Sequence, residues 1–431
     1  MKSVFVFMVG AVASQAFCQS SFRTIAPDAN FDYAVVQDIS GNGRFALVSQ
    51  QNSVPRDPLN GYILDLISGT RVNLVDDFGR DLTPIGISDD GSRVVGYLGG
   101  GPLATTVAFL WDAEEGLREL GGLAGANINY AKSLSADGSV VVGTSGTSFG
   151  DMYQQGWRWT SEAGFEALTD LGPDTLDFGS AENISADGST IVGMGSLGDQ
   201  DPDTDDLMSA VIWQSSGTAP TNLGNLPSLS YTGGAMCTAA SGDGAVVVGF
   251  SPAISNSGGF VTHGFRWTQA QGLVDIGQLA SNPQGSIYIL DCSRDGETLV
   301  GYMIDGGVSS WQAVVWSAAT GVQTLRSMLN ARGVVVPANL GLRETYCSAD
   351  ASVIGGWAYN ITTGKYVGYV ASFPPPCSAD FNQDGGVDGA DVEAFFSQWE
   401  AGNPAGDTNR DGGVDGADIE FFFTQWEAGG C

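Results

Sequence analysis

The sequence predicts a mainly β protein, a seven-bladed β-propeller of roughly 50-residue repeats, followed by a small α-helical module. Three observations predict it. A Ser-x-Asp-Gly segment recurs along the chain, β-branched and tryptophan-bearing runs follow it, and the composition changes abruptly after three consecutive prolines.

The turn segment sets the repeat. It stands at Ser88-Asp89-Asp90-Gly91, Ser135-Ala136-Asp137-Gly138, Ser185-Ala186-Asp187-Gly188, Ser241-Gly242-Asp243-Gly244 and Ser293-Arg294-Asp295-Gly296. Looser copies stand at Ser40, with Asn42-Gly43, and at Ser348, with Asp350-Ala351. Successive serines are 48, 47, 50, 56, 52 and 55 residues apart, which makes seven copies. An Asp-Gly pair tolerates the positive φ of a tight hairpin, so each segment predicts a turn between two strands.

The second strand of each unit is a β-rich run such as Val140-Val141-Val142-Gly143. The third carries a tryptophan at its end: Trp111, Trp159, Trp213, Trp267 and Trp316. These are expected to pack blade against blade. A short strand such as 117–121 completes the unit. Arg158 and Arg266, each one residue before its tryptophan, are expected at the surface. Cys237, Cys292 and Cys347 precede turn segments and are expected as buried thiols, with Cys292 and Cys347 the only pairing their matched positions suggest.

Copy seven lacks a fourth strand. Phe22-Arg23-Thr24-Ile25 resembles the fourth-strand run Leu117-Arg118-Glu119-Leu120, so the N-terminal strand is expected to complete the last blade. Closure of that kind removes the free sheet edges of an open array.

The Ala-Phe-x-Trp and Ser-x-Asp-Gly portions of residues 22–373 resemble the bacterial extracellular HAF repeats, with His263 alone keeping the leading histidine. The resemblance implies secretion and a propeller-like fold, and no activity.

Residues 1–18 read as a signal peptide, with Lys2 ahead of an apolar stretch and small residues near the expected cut. No later segment is apolar enough to span a bilayer, so no transmembrane helix is expected in the mature chain. Acids outnumber bases 48 to 17, for a net charge of −31. That balance excludes nucleic acid and anionic membrane surfaces as partners, since both are read by Lys and Arg. With His263 as the only histidine, a multi-His metal site and a repeated Ser-His-Asp arrangement are excluded too. Carboxylate pairs stay open to glycosidase-type chemistry. The dense acidic run at 199–206 is expected as a solvated insertion.

Residues 374–376 are Pro-Pro-Pro, an extended linker between the propeller, 19–373, and the terminal module, 377–431. The module holds the same twelve-residue loop twice, starting 27 residues apart at Asp380 and Asp407. Its spacing is that of an EF-hand calcium loop. Ligand positions one, three and five hold Asp380, Asn382 and Asp384, then Asp407, Asn409 and Asp411. Gly386 and Gly413 offer the position-seven carbonyl, and Asp388 and Asp415 stand at position nine. Asp391 and Asp418 stand at position twelve, in place of the usual glutamate. Two bound calcium ions are expected. Helices are expected over 391–399 and 418–426, each with one apolar face: Val392, Phe395 and Trp399, then Ile419, Phe422 and Trp426.

A calcium loop with an exiting helix and no entering helix resembles a bacterial dockerin, here of the type ending in Gly-Cys. The resemblance implies a cohesin-like or other surface-anchoring partner. Its contact positions fall on Gly389, Ala390, Phe396 and Ser397, and on Gly416, Ala417, Phe423 and Thr424. Gly-Ala replaces the usual hydroxyl pair at the first two of these, which departs from ordinary cohesin recognition. Dockerin ends lie close together, which suggests a Cys377–Cys431 disulfide; the other reading makes Cys431 a sorting or attachment residue.

The combined expectation is a secreted, non-catalytic binding or structural protein, displayed at the cell surface by a calcium-dependent tail. A glycan is a candidate ligand. The alternative is an extracellular polysaccharide-active enzyme recruited to a complex by that tail.

Overall fold

The computed structural model describes residues 20–52, 60–75, 79–99, 105–147, 154–169, 171, 179–196, 208–214, 219–226, 234–254, 259–305, 311–373, 379, 381–382, 388–403, 406, 408 and 413–427. The chain divides into two compact units, Phe22–Ala371 and one that holds Ser372–Cys431. Among the described residues no helix is long and apolar enough to cross a membrane.

The first unit is a seven-bladed propeller of seven four-stranded sheets, antiparallel throughout blades 1 to 6. Blades 1 to 6 each take four consecutive strands. Blade 7 takes Leu340–Cys347, Val353–Asn360 and Lys365–Ser372, and the N-terminal strand Ser21–Ile25 pairs beside the last of them. The ring closes as its ends predict.

Each Ser-x-Asp-Gly segment joins the inner strand of a blade to the second. In all seven copies the Ser hydroxyl donates to the Asp or Asn side chain two residues on, at 2.5–2.9 Å. That side-chain oxygen accepts the N–H two residues further, at 2.9–3.0 Å. The Ser oxygen in turn accepts the N–H five residues on, at 2.9–3.0 Å. The motif is a self-contained hairpin lock. Copy seven has Ala351 where the others have glycine, and it keeps the turn at φ 55, the one positive φ outside glycine among the described residues.

The glycine after the β-rich run answers a different need. In blade 3 the inner strand bulges between Ala131 and Ser133, which pushes the Tyr130 carbonyl against the second strand. A Cβ on Gly143 would meet that oxygen at 2.0 Å. The same approach recurs in blades 2 and 4 to 7, where the facing carbonyls belong to Thr83, Ser180, Met236, Tyr288 and Glu344.

Neighbouring blades are linked at the turns by backbone bonds. Asn42 N–H donates to Asp89 O, Asp89 to Ala136, Ala136 to Ala186, Asp187 to Gly242, Gly242 to Arg294, Arg294 to Ala349, and Ala349 to Gly41. These seven bonds, 2.6–3.0 Å long, form a closed collar around the axis. Above it, apolar clusters fill the seams. Trp111 packs with Leu47, Ile63 and Leu82 between blades 1 and 2, Trp159 lies between blades 2 and 3, and Trp213 between 3 and 4. Trp267 and Trp316 lie against the next two seams. The tryptophans are blade packing, as expected. Cys237, Cys292 and Cys347 are buried and free.

Two details differ from the sequence reading. A short helix α1, Leu325–Ala331, follows blade 6, N-capped by Thr324, whose side chain accepts from Ser327 N at 3.1 Å. Arg266 is not a solvated surface residue. Its guanidinium reaches blade 6 to bond Gly296 O at 2.9 Å and Glu297 at 2.7 Å, because its strand lies against that blade's turn.

Candidate functional site

The terminal unit is built on two helices, α2 (Gly389–Glu400) and α3 (Gly416–Glu427). Each starts two residues before its expected position. Asp388 caps α2 and forms a capping box with Asp391, which makes Gly389 and Ala390 helical; the Asp-x-x-Asp spacing carried that signal. Asp415 repeats the arrangement, accepting from Ala417 N at 2.8 Å.

The two halves meet through equivalent residues. Phe395 and Phe422 are wholly buried and stack at 4.3 Å with 7° between their planes. Phe396 and Phe423 form a second pair at 6.3 Å, half-buried. Trp399 Nε1 donates to Asp415 O at 2.7 Å, tying the first helix to the second loop. Of the expected partner contacts, Gly389, Ala390, Ser397, Gly416, Ala417 and Thr424 are exposed, flanking the Phe396–Phe423 pair.

Both position-twelve aspartates are wholly buried. Asp391 accepts Asn382 N–H at 3.0 Å and Asp388 N–H at 2.8 Å. Asp418 accepts Asp415 N–H at 2.8 Å, and Thr408 Oγ1 donates to its carbonyl. Asp380, Asp384, Gly386, Asp407, Asn409, Asp411, Cys377 and Cys431 lie outside the described residues, as do 1–18, 199–206 and 374–376. Among the described residues no three His, Cys, Asp or Glu side chains converge on one point.

The donor chemistry fits a hard cation. From Ser372 to Cys431 there are twelve acidic residues and one basic one, Arg410. Two buried carboxylates in so acidic a segment are costly unless a cation compensates them. Oxygen-only ligands suit calcium.

The propeller carries a second constellation, on the face opposite the turns. Aromatic rings run in contact across four blades: Phe250, Tyr288, Tyr302, Trp311, Trp357, Tyr366 and Tyr33, with centroids 4.8–6.0 Å apart. Tyr302 and Trp311 are nearly parallel, at 7°. All seven rings are half-buried. Arg343, buried at the centre, lies over Trp311, Trp357, Tyr359 and Tyr366 at 5.1–5.6 Å. It and Glu344 sit in a bulge opposite Trp357, whose Nε1 donates to the Glu344 carboxylate at 3.1 Å. Burial pushes the Glu344 carboxyl up from its usual range.

Deeper on the inner strands, Asp38 ties blade 1 to blade 2 by accepting from Ile39 N and Ile87 N. Asp291 ties blade 6 to blade 7 through Cys292 N and Cys347 N. Burial raises both carboxyls, and Asp291 adds to the rise at Asp38. Sequence reasoning missed this constellation, although part of it repeats: Phe250, Tyr302 and Trp357 each follow the second-strand glycine of their blade, and Asp38 and Asp291 each stand two residues before a turn serine. Tyr288, Trp311, Tyr366 and Tyr33 share no such position. The one histidine is no part of it. His263 is buried, with Nδ1 2.6 Å from Asp275 and Nε2 without a partner.

These features define a seven-bladed β-propeller protein with a small helical module. No family model and no curated protein matches the chain. Solved structures do. The β-propeller domain of the trilobed protease from Pyrococcus furiosus is similar, with TM-score 0.52 at 9% identity over 80% of this chain and 96% of that one. A prolyl endopeptidase gives 0.50 at 12% identity over 84% of this chain, which spans 51% of that enzyme's length. An oligogalacturonate lyase in complex with manganese gives 0.50 at 14% identity, over 83% and 97%. The expectation that the chain is no enzyme is thereby corrected: these structures of the same fold come from enzymes. At such identities the likeness shows the fold alone and assigns no reaction.

Proposed function

We propose that the protein is exported, that its propeller presents a binding surface, and that residues 377–431 form a dockerin-like module anchoring it to a surface protein. The observation that supports this best is the duplicated placement of Asp391 and Asp418, both wholly buried at the end of matching acidic loops. Calcium would be held by Asp380, Asn382, Asp384, the Gly386 carbonyl, Asp388 and Asp391, and by their equivalents Asp407, Asn409, Asp411, Gly413, Asp415 and Asp418. When bound, it supplies the positive charge these acids lack. The chain's own contribution is to cap α2 and α3 with Asp388 and Asp415, and to hold the helices together through Phe395 and Phe422. A cohesin-like or other anchoring partner would meet the exposed Gly389, Ala390, Ser397, Gly416, Ala417 and Thr424 around Phe396 and Phe423. A Cys377–Cys431 disulfide would clasp the ends, and intact mass before and after reduction reads it directly.

Calcium titration of the full chain tests the proposal. Two ions bound per chain, with helical signal lost in chelator, support it; a circular-dichroism spectrum indifferent to both sinks it.

A second reading is an enzyme acting on polysaccharide and recruited by the tail. Glu344 favours it by its place beside the aromatic strip, where Trp357 Nε1 holds its carboxyl at 3.1 Å and burial raises it in the direction a general acid requires. Product release from oligosaccharides, abolished in Glu344→Gln, would establish that reading.

A further inference from the structure

We propose that the aromatic strip of blades 5, 6, 7 and 1 is a binding site for a neutral glycan chain. The inference rests on the propeller being the binding part of the protein and makes no use of the calcium module.

Three observations carry it. First, the fold does not require these rings. Blade 3 matches Tyr288 of blade 6 with Tyr130, but blades 2, 4 and 5 place Thr83, Ser180 and Met236 against the same second-strand glycine. The seam between blades 5 and 6 is already filled by Ile287, Ile289, Leu299, Met303 and Val314. Second, the rings form a continuous track. Neighbouring centroids stay within 6.0 Å from Phe250 to Tyr33, and every ring keeps part of its surface open. Sugar rings present flat C–H faces that pack on such surfaces, while their hydroxyls seek polar partners at the edge.

Third, the polar groups beside the track suit a ligand without charge. The Glu344 carboxylate accepts hydrogen bonds, and the phenol of Tyr288 already accepts one from Thr262 Oγ1 at 3.3 Å. Arg343 is enclosed by four rings, and Lys365 is held by Asp32 at 2.9 Å. The charges beside the track balance, Arg343 against Glu344 and Lys365 against Asp32, so a uronate or sulfated chain gains no net attraction there over a neutral one.

The test uses the full-length protein in calcium. Neutral gluco-, xylo- and manno-oligosaccharides are titrated while tryptophan emission and heat are followed, with oligogalacturonate as the charged comparison. Saturable binding of at least one neutral series, weakened about fivefold in Trp311→Ala and largely kept in Trp311→Phe, is the expected result. Melting curves check that each variant folds. If Trp311→Ala does not fold, protection of the native tryptophans from acrylamide quenching by the bound oligosaccharide replaces it. No binding by any neutral series, tighter binding of oligogalacturonate, unchanged affinity in folded Trp311→Ala, or binding without tryptophan protection each overturns the proposal. Calcium titration of the same sample is scored separately, so failure of the anchoring module is distinguishable from failure of the strip.

Discussion

Arg294 in blade 6 and Asp89 in blade 2 are 205 residues apart in sequence and form an ion pair across the collar that closes the propeller axis. Their side chains are 46% and 34% exposed, so water screens the pair and its expected worth is at most about 1 kcal/mol. Arg294→Ala should therefore move the urea midpoint only slightly, and less again in high salt. A loss of several kcal/mol would show that the pair, and not the seven backbone bonds of the collar, holds the axis.

The two special backbone positions should respond in opposite directions. Gly143→Ala sets a Cβ 2.0 Å from the Tyr130 carbonyl and 2.6 Å from the Trp157 ring, and should cost about 2–3 kcal/mol. Ala351→Gly removes a side chain from a left-handed turn and should stabilise by up to about 1 kcal/mol. Thermal melts of both variants decide the matter.

Stability should peak on the acid side of neutrality. Asp38 and Asp291 have carboxyls raised in the folded state by burial, so they oppose folding at neutral pH. As the pH falls through their folded values, the folded state takes up protons first and that penalty disappears. Asp243 lies the other way, held low by Ala245 N–H and the Ser241 hydroxyl. Its contribution is complete above the unfolded value of about 3.9 and is lost as pH falls through the depressed folded value. Hydrogen exchange of propeller peptides should slow from neutral to mildly acidic pH, after correction for intrinsic rates, and quicken in strong acid.

Asp418→Asn should lower calcium affinity at least about tenfold, since even partners outside the ligand shell produce losses of that size. It should leave propeller melting unchanged. Calorimetric titration of the full chain measures the first and differential scanning the second.

Deleting residues 21–27 should prevent soluble folding. Blade 7 would lose its outer strand, and the apolar cluster joining Ile25 and Val370 to Val36 and Tyr62 would open. An unchanged melting curve would show that the ring closes without it.

Much of the fold was legible because it repeats. Ser135, Asp137 and Gly138 act within one turn, so their roles follow from local spacing, and seven copies make that spacing plain. The aromatic strip was not legible. Phe250, Tyr302 and Trp357 do follow the second-strand glycine of their blades, but Trp311 precedes a third strand, Tyr288 lies on an inner strand and Tyr366 on the third strand of blade 7, and nothing local says that these rings meet. The role of Arg266 was misread for the same reason: its partner Glu297 stands 31 residues away in another blade.

The terminal module, first seen as a pair of calcium-type loops, divides in the same manner. The sequence by itself determined the duplication, the acidic loop pattern and the apolar faces of both helices, because residue spacing and helix periodicity act within a few residues. Only the tertiary structure decided that Phe395 stacks on Phe422, that Asp391 and Asp418 are wholly buried, and that four blades bring their rings together. Those relationships depend on which distant segments pack side by side, and that is settled by closure of the ring and pairing of the helices.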